Sequence, residues 1–322
     1  MVKRSYYYPG LFFKTFTFIR KYYHDILNSF TFIIINSARK RFRHKLKRKL
    51  DLANPVKYND KIHWFKIHWK NSLAQKCADK YEVREYVKEK IGEKYLNILY
   101  GVYDSVESIN LDVLPRAFVL KGTHGSGFNI LCRDKYSTNW TENFKKMYKW
   151  LNTNYYWSSN EWVYKNLKPR IVCEKLLSDK SGNLPKDYKI FCFGGVPKLI
   201  CVDIDRENKH KRNFYDLNWN FLDIQISKKL HSNNPEIKIK KPDQLEEMIE
   251  ISRVLSQDFP HVRTDFYIVN NKVCFGELTF FHASGLSRFY PPEFENEMGK
   301  WIKLPVEKET GEWGRLPVEV VK

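Results

Sequence analysis

The sequence predicts an α+β fold, and three observations lead there. Three stretches read as β-hairpins, Arg116–Arg133 (RAFVLKGTHGSGFNILCR), Lys186–Asp205 and Val262–Phe281, each with β-prone runs around a Gly- or Asn-containing turn. Leu52–Lys94 and Asp243–Gln257 carry good helix formers with few breakers. The 322 residues, 43% hydrophobic and 16% aromatic, suffice for a sizeable core and, on length alone, for two domains or so. A disordered chain is excluded by the same composition.

Net charge is +19, from 56 basic and 37 acidic residues, so anionic partners are expected. Nucleotides, anionic lipids, acidic polysaccharides and nucleic acid all satisfy that expectation. Six cysteines, Cys77, Cys132, Cys173, Cys192, Cys201 and Cys274, show no CxxC and no metal-ligand spacing. Buried, reduced thiols of a cytoplasmic protein are expected. Lys14, Arg20, Lys21 and Asp25 interrupt the early apolar run, which argues against both a signal peptide and a membrane span.

In chain order, residues 1–50 mix aromatics with Lys and Arg and end in ARKRFRHKLKRKL. Such a segment reads either as a peripheral anchor on the cytoplasmic face of an anionic membrane or as a solvated basic helix packed on the body by its aromatic face. Nucleic-acid binding ranks below both, because no base-reading motif accompanies the charge. Ala74–Lys90 predicts one helix, on which Lys80, Arg84 and Lys88 form a basic stripe, either a solvated face or one with a phosphate-facing lysine.

In Arg116–Arg133, Lys121 closes a short apolar run, and Gly122, Gly125 and Gly127 permit positive φ and close backbone approach to a ligand. Exposed N–H groups beside a lysine suit phosphate oxygens. A Walker A loop is excluded, since no Gly-Lys-Ser/Thr and no following helix are present, and a hairpin lid is the expected form. The aromatics of Asn139–Leu167 predict core packing. Ile171–Leu177 predicts a strand carrying Glu174, a carboxylate that needs a donor, for which a ligand hydroxyl or amine would serve. Lys186–Asp205 turns at Gly194-Gly195 and leads into a loop crowded with Asp205, Arg206, His210 and Arg212. Asp243 and Glu246 have capping-box spacing ahead of an apolar stripe of Leu245, Met248, Ile249 and Leu255.

The last hairpin carries the sharpest chemistry. With Asn270-Asn271-Lys272 as its loop, Asp265 faces Glu277 on one sheet face, and the repulsion calls for a cation between them. Oxygen ligands of this kind suit Mg²⁺ shared with nucleotide phosphates. A two-residue Asn-Asn turn would send the two carboxylates to opposite faces.

Taken together, DKYEVREYV, FVLKGTHGSGFNI, EWVYKNLKPRIVCEKLL, DYKIFCFGGVPK, VDIDR and RTDFYIVNNKVCFGELTFFHASG resemble, in order and spacing, the TupA-like group of the ATP-grasp superfamily over about Asp79–Gly285. The resemblance implies an ATP-grasp fold with nucleotide between two α+β subdomains. Their implied limits are a basic segment at 1–50, a helical part at 51–115, a small subdomain at 116–180, a C-terminal subdomain at 181–304 and a tail at 305–322. By resemblance, Lys80 and Lys121 hold ATP phosphates, the loop containing Gly122, Gly125, Ser126 and Gly127 closes over them, and Lys189 is a further phosphate ligand. Glu174 and the backbone of Leu177 would read adenine, and Asp179 the ribose. Asp265 and Glu277 would hold Mg²⁺, with Thr279 standing where the superfamily usually has Asn. Arg263 would stabilise an acyl phosphate and a tetrahedral intermediate.

The implied activity is ATP- and Mg²⁺-dependent carboxylate–amine ligation through an acyl phosphate. Its implied partners are an acidic cell-surface polysaccharide or precursor and an amino acid or amine, with Asp205, Arg206, His210 and Arg212 as candidates on the substrate side. Two rivals stand beside it. One is a glycosyltransferase, suggested by the DxD of Asp203-Ile204-Asp205. The other is a non-enzymatic membrane or polyanion binder, which leaves the ordered lysines and acids after residue 79 unexplained.

Overall fold

In the computed structural model, residues 31–205, 207, 210–226 and 235–305 are described. Residues 1–30 of the N-terminal segment, Arg206, and all but the first residue of the 305–322 tail therefore lie outside the described residues. The elements run α1 (Thr31–Leu46), α2 (Tyr58–Ile67), α3 (Ser72–Ala78), α4 (Val83–Ile91), β1 (Leu99–Tyr103), β2 (Phe118–Gly122), β3 (Asn129–Cys132), α5 (Trp140–Leu151), α6 (Tyr156–Ser159), β4 (Ile171–Lys175), β5 (Asp187–Phe193), β6 (Val196–Ile204), β7 (Lys211–Tyr215), β8 (Phe221–Leu222), β9 (Gln225–Ile226), α7 (Leu245–Ser256), β10 (His261–Val269), β11 (Lys272–Thr279), β12 (Phe289–Tyr290) and α8 (Glu293–Trp301).

Alternation along the strands builds two antiparallel sheets. The smaller has the order β1-β4-β2-β3. Phe118, Leu120, Ile130, Cys132, Ile171 and Cys173 point to one side and pack with Trp140, Phe144, Met147 and Trp150 of α5. That helix starts at Asn139, whose Oδ1 accepts from the Glu142 N–H at 3.1 Å. The residues in between, Val119, Lys121, Asn129, Leu131 and Glu174, face the opposite way. β1 lies within the 51–115 stretch expected to be helical, so this sheet recruits its edge strand from before residue 116.

The larger sheet has the order β11-β10-β5-β6-β7-β8. Ile190, Val202, Thr264 and Phe266 form its buried apolar face under α7, where the Ser252 and Thr264 hydroxyls meet at 2.7 Å. α7 buries Leu245, Met248 and Leu255 as expected, but Gln244 sits at its N-cap with no side-chain cap. The capping box fails because Glu246 pairs outward with Lys241 at 2.8 Å. Among the described residues the six cysteines are all free, and five are buried.

The helix expected over Ala74–Lys90 is broken into α3 and α4. Asp79, fully buried, ends the first and holds the turn that leads into the second, its Oδ1 accepting from the N–H groups of Tyr81 (2.7 Å) and Glu82 (3.0 Å). α1 packs on the body through Ala38 and Phe42, the latter meeting His63 edge-on at 5.1 Å. Arg48 locks the junction, reaching Asp60 at 2.8 Å and Glu295 at 2.6 Å. Among the described residues no helix is long and apolar enough to cross a membrane.

Candidate active site

The polar faces of the two sheets meet across a cleft of 290 Å³. Val119, Leu131, Leu176, Leu177, Leu184 and Pro185 make one end apolar, while Lys80, Lys121, Glu174, Asp187, Asp265 and Glu277 make the other charged. Ser126 and Gly127 of the glycine loop line it as well. A wall that is apolar at one end and alternates cations with carboxylates at the other suits a ligand with a flat apolar part and a polyanionic part.

On the small-sheet side, the break at Asp79 removes Lys80 from the helical stripe. Its N–H donates to Thr123 O at 3.1 Å and its Nζ to Gly125 O at 2.5 Å, so it is tied at both ends to the glycine loop. Burial lowers the Lys80 pKa from the usual lysine value. Lys121 Nζ lies 2.8 Å from Glu174 Oε2, and Arg84 Nη1 lies 3.4 Å from Glu174 Oε1. The donors that Glu174 needs are thus two side chains of this protein, not a ligand. Burial works against the charge of Lys121, but Glu174 outweighs it and lifts the pKa to about 12.

Of the three loop glycines, only Gly127 adopts positive φ, at 77°. Gly122 and Gly125 are required for another reason. A Cβ there would stand 2.9 Å and 2.7 Å from the Phe128 ring, which stacks on Trp150 at 5.5 Å and closes over the loop.

The large-sheet side turns on one bulge. Asn270 and Asn271 do form a two-residue turn, with φ of 50° and 59° and Val269 paired to Lys272. That register would put Glu277 on the face of Thr264. Gly276 is instead an extra residue between the pairs Phe266↔Phe275 and Asp265↔Glu277, and the bulge returns Glu277 to the face of Asp265. A Cβ at Gly276 would meet Asp265 O at 3.0 Å.

Asp265 is 2% exposed and tightly held. Arg263 Nε and Nη2 bind its two oxygens at 2.6 and 2.5 Å, and Lys189 Nζ lies 3.2 Å away. The cation between Asp265 and Glu277 is Arg263 itself, whose Nη2 also lies 3.4 Å from Glu277 Oε1 and donates to Thr279 Oγ1 at 3.1 Å. Lys189 is further ion-paired to Asp187 and, at 3.5 Å, to Asp203. Asp203 accepts a bidentate pair from Arg212 at 2.5 and 2.8 Å and meets His210 at 3.1 Å. Burial opposes the charges of Arg263 and Lys189, yet the surrounding carboxylates raise both pKa values. The Glu277 carboxyl is lowered, because Lys80, Arg263 and Lys189 overcome its burial.

A match to the family described as TupA-like ATPgrasp spans residues 60–303. The chain belongs to the TupA-like ATP-grasp family. It has an ATP-grasp fold. No curated protein matches it in sequence. Among solved structures it is similar to D-alanine–D-alanine ligase from Bacillus anthracis, at 16% identity and a TM-score of 0.38, with 63% of this chain and 57% of that chain covered. The Helicobacter pylori D-alanine–D-alanine ligase matches at 16% identity and a TM-score of 0.37, covering 70% of this chain and 61% of that chain. An L-amino acid ligase from Bacillus licheniformis matches at 12% identity and a TM-score of 0.39, covering 66% and 43%. The chain thus spans about three fifths of the length of the first two ligases.

In this ATP-grasp chain the cleft gathers Lys80, Lys121, Ser126, Gly127, Glu174, Leu177, Asp265 and Glu277. Arg263 and Lys189 lie beside it, each paired to Asp265, and Thr279 joins Arg263 and Glu277. Asp179 is not among the lining residues; its Oδ1 accepts from the N–H groups of Ser181 and Asn183, shaping its own turn. His210 and Arg212 converge on Asp203, whereas Asp205 stands at the strand end with φ of 48°. The DxD reading loses its first acid, since Asp203 is 2% exposed and already paired to Arg212, Lys189 and His210.

Asp187 and Asp203 are the residues that sequence reasoning missed as part of this site. They alternate with Lys189 and Cys201 along paired strands, and that period-two spacing is the signal that would have found them. Asp265, Glu277 and Thr279 offer hard oxygen donors, which match Mg²⁺ in kind. Among the described residues no group of three or more His, Cys, Asp or Glu is arranged to hold a metal.

Proposed function

We propose that this protein is a ligase that uses ATP and Mg²⁺ to join a carboxylate to an amine through an acyl phosphate. The observation that supports this most directly is the opposed pair Asp265 and Glu277, bridged by Arg263 and facing Lys80 and Lys121 in one cleft. In this reading the apolar end of the cleft takes the adenine, and Lys80 and Lys121 take the phosphates under the glycine loop. Mg²⁺, held by Asp265 and Glu277, would neutralise phosphate charge when bound.

A substrate carboxylate oxygen attacks the γ-phosphorus, the bond to the β-phosphate oxygen breaks, and ADP leaves. The amine then adds to the acyl carbon, phosphate departs, and the nitrogen loses a proton. In this reading Arg263 neutralises the charge that gathers in both steps, and positioning with charge neutralisation carries most of the work.

The acceptor we propose is an acidic cell-surface polysaccharide or its precursor, joined to an amino acid or amine, with His210 and Arg212 on the substrate side. Nucleotide analysis with the full-length protein tests this. ADP and phosphate should appear only with Mg²⁺ and rise when a uronic-acid polymer and an amino acid are both present. Release of UDP from a nucleotide sugar, with ATP untouched, would overturn the reading.

A further inference from the structure

The helix α1 uses its two faces differently. Ala38 and Phe42 are buried against the body, and Arg41 Nη1 donates to Ser158 O at 2.5 Å. The outward side, with the turn that follows, forms a groove of 880 Å³ lined by Arg39, Lys40, Arg43, His44, Lys47 and Lys49 beside Leu50. These six basic side chains are exposed, and no Asp or Glu occurs between Thr31 and Leu50. The basic residues on the inward side are used structurally, as Arg48 is by Asp60 and Glu295. The outward ones make no ion pair with a described residue.

We propose that this face docks the protein on an anionic lipid surface. Two observations favour a membrane over a soluble polyanion. A continuous cationic surface complements the negative potential of anionic headgroups, each basic residue adding to the attraction. The chain that leads directly into α1 is also of interfacial composition, with ten aromatic residues between Tyr6 and Phe30 interspersed with Lys14, Arg20 and Lys21, and one acid, Asp25. Aromatics at headgroup depth beside a polybasic surface supply the two signals that stable peripheral binding requires.

The test uses vesicle flotation of the full chain with point substitutions, because truncation would remove the core residue Phe42 and the bridges of Arg48. The parent should float with phosphatidylcholine vesicles containing phosphatidylglycerol, remain unbound with phosphatidylcholine alone, and detach as salt rises. Arg39→Gln, Lys40→Gln and Arg43→Gln together should weaken binding on the order of a hundredfold, at about fivefold per charge. Thermal unfolding and soluble turnover should be unchanged. The matching variant Arg39→Lys with Arg43→Lys should bind as the parent does. Equal flotation of the triple Gln variant overturns the proposal. So does binding of soluble dextran sulfate without binding of anionic vesicles, which would assign the face to a soluble polymer. Neither result that overturns the proposal depends on the reaction catalysed.

Discussion

On the small sheet, Lys121 answers to one carboxylate, Glu174, and Lys80 reaches one carbonyl, that of Gly125. On the large sheet, Lys189 answers to Asp187, Asp203 and Asp265, and Asp265 answers to Arg263 as well as Lys189. Lys121 keeps 24% of its side chain exposed, against 2% for Asp265. The first wall is held by few partners, so its cations can exchange a protein acceptor for a phosphate at small cost. The second is over-determined, so its acids stay in place while ligands come and go. One wall is suited to moving, the other to aiming.

The sharpest way to break that contrast is to compare truncations on the two walls. Asp265→Ala leaves Arg263 and Lys189 short of a buried partner and should destabilise the fold by about 3–5 kcal/mol in urea unfolding. Lys121→Ala leaves Glu174 with Arg84 and should cost about 1 kcal/mol. Equal losses would show that the walls are held alike.

Glu277→Gln separates chemistry from stability on the large sheet. Its side chain is 45% exposed, so unfolding should shift by no more than about 0.5 kcal/mol. ADP formation should nonetheless fall by about 10²-fold or more. Turnover that survives this change would remove Glu277 from the site.

A smaller effect is expected on the small sheet. Gly125→Ala places a Cβ 2.7 Å from Phe128 Cε2 and 3.1 Å from Tyr155 Cβ, which displaces the loop without exposing core. KM for ATP should rise roughly 3- to 10-fold with the melting temperature kept. An unaltered KM would mean that the loop does not close on nucleotide.

The smallest effect is a pH dependence inside one wall. Lys80 has its pKa lowered from 10.5 by burial, while that of Lys121 is raised to about 12. As pH rises, Lys80 therefore loses its proton first, and on the proposed reading its pull on phosphate should disappear below the ordinary lysine value. The contribution of Lys121 is complete below 10.5 and fades only through about 12. Calorimetric ATP affinity should decline on the alkaline side in the parent and stay flat over the same range in Lys80→Gln.

Much of this was legible in the sequence, because strands announce which side chains share a face. Asp265 and Glu277, read as sharing one face of the last hairpin, do share it in the structure, although through a two-residue turn and a bulge in place of the three-residue loop. The helix break at Asp79 was not legible. Propensity treats an aspartate among good helix formers as a weak interior residue, whereas its burial and two backbone hydrogen bonds fix a turn between two helices. The donors of Glu174 were hidden for another reason: Arg84 is far away in the chain, and only tertiary packing brings it to β4. The lysine-centred cluster was half visible, with Lys189 singled out, Asp187 passed over, and Asp203 read only as part of a DxD and not as a partner of Lys189. Glycine in the loop was read as freedom of φ, when at two of three positions it is room for Phe128.

Gly276 makes the last hairpin a matter of parity. The two-residue turn and the bulge are each off by one, and the two offsets cancel, so Asp265 and Glu277 end on the same side. With Lys272 drawn into the turn and Gly276 paired in line, Val269 would face Val273 and that side would be preserved, whereas the two-residue turn with Gly276 paired in line would turn Glu277 and Thr279 together to the other side. In such a hairpin a turn of unexpected register is a reason to search the strands for the bulge that compensates it.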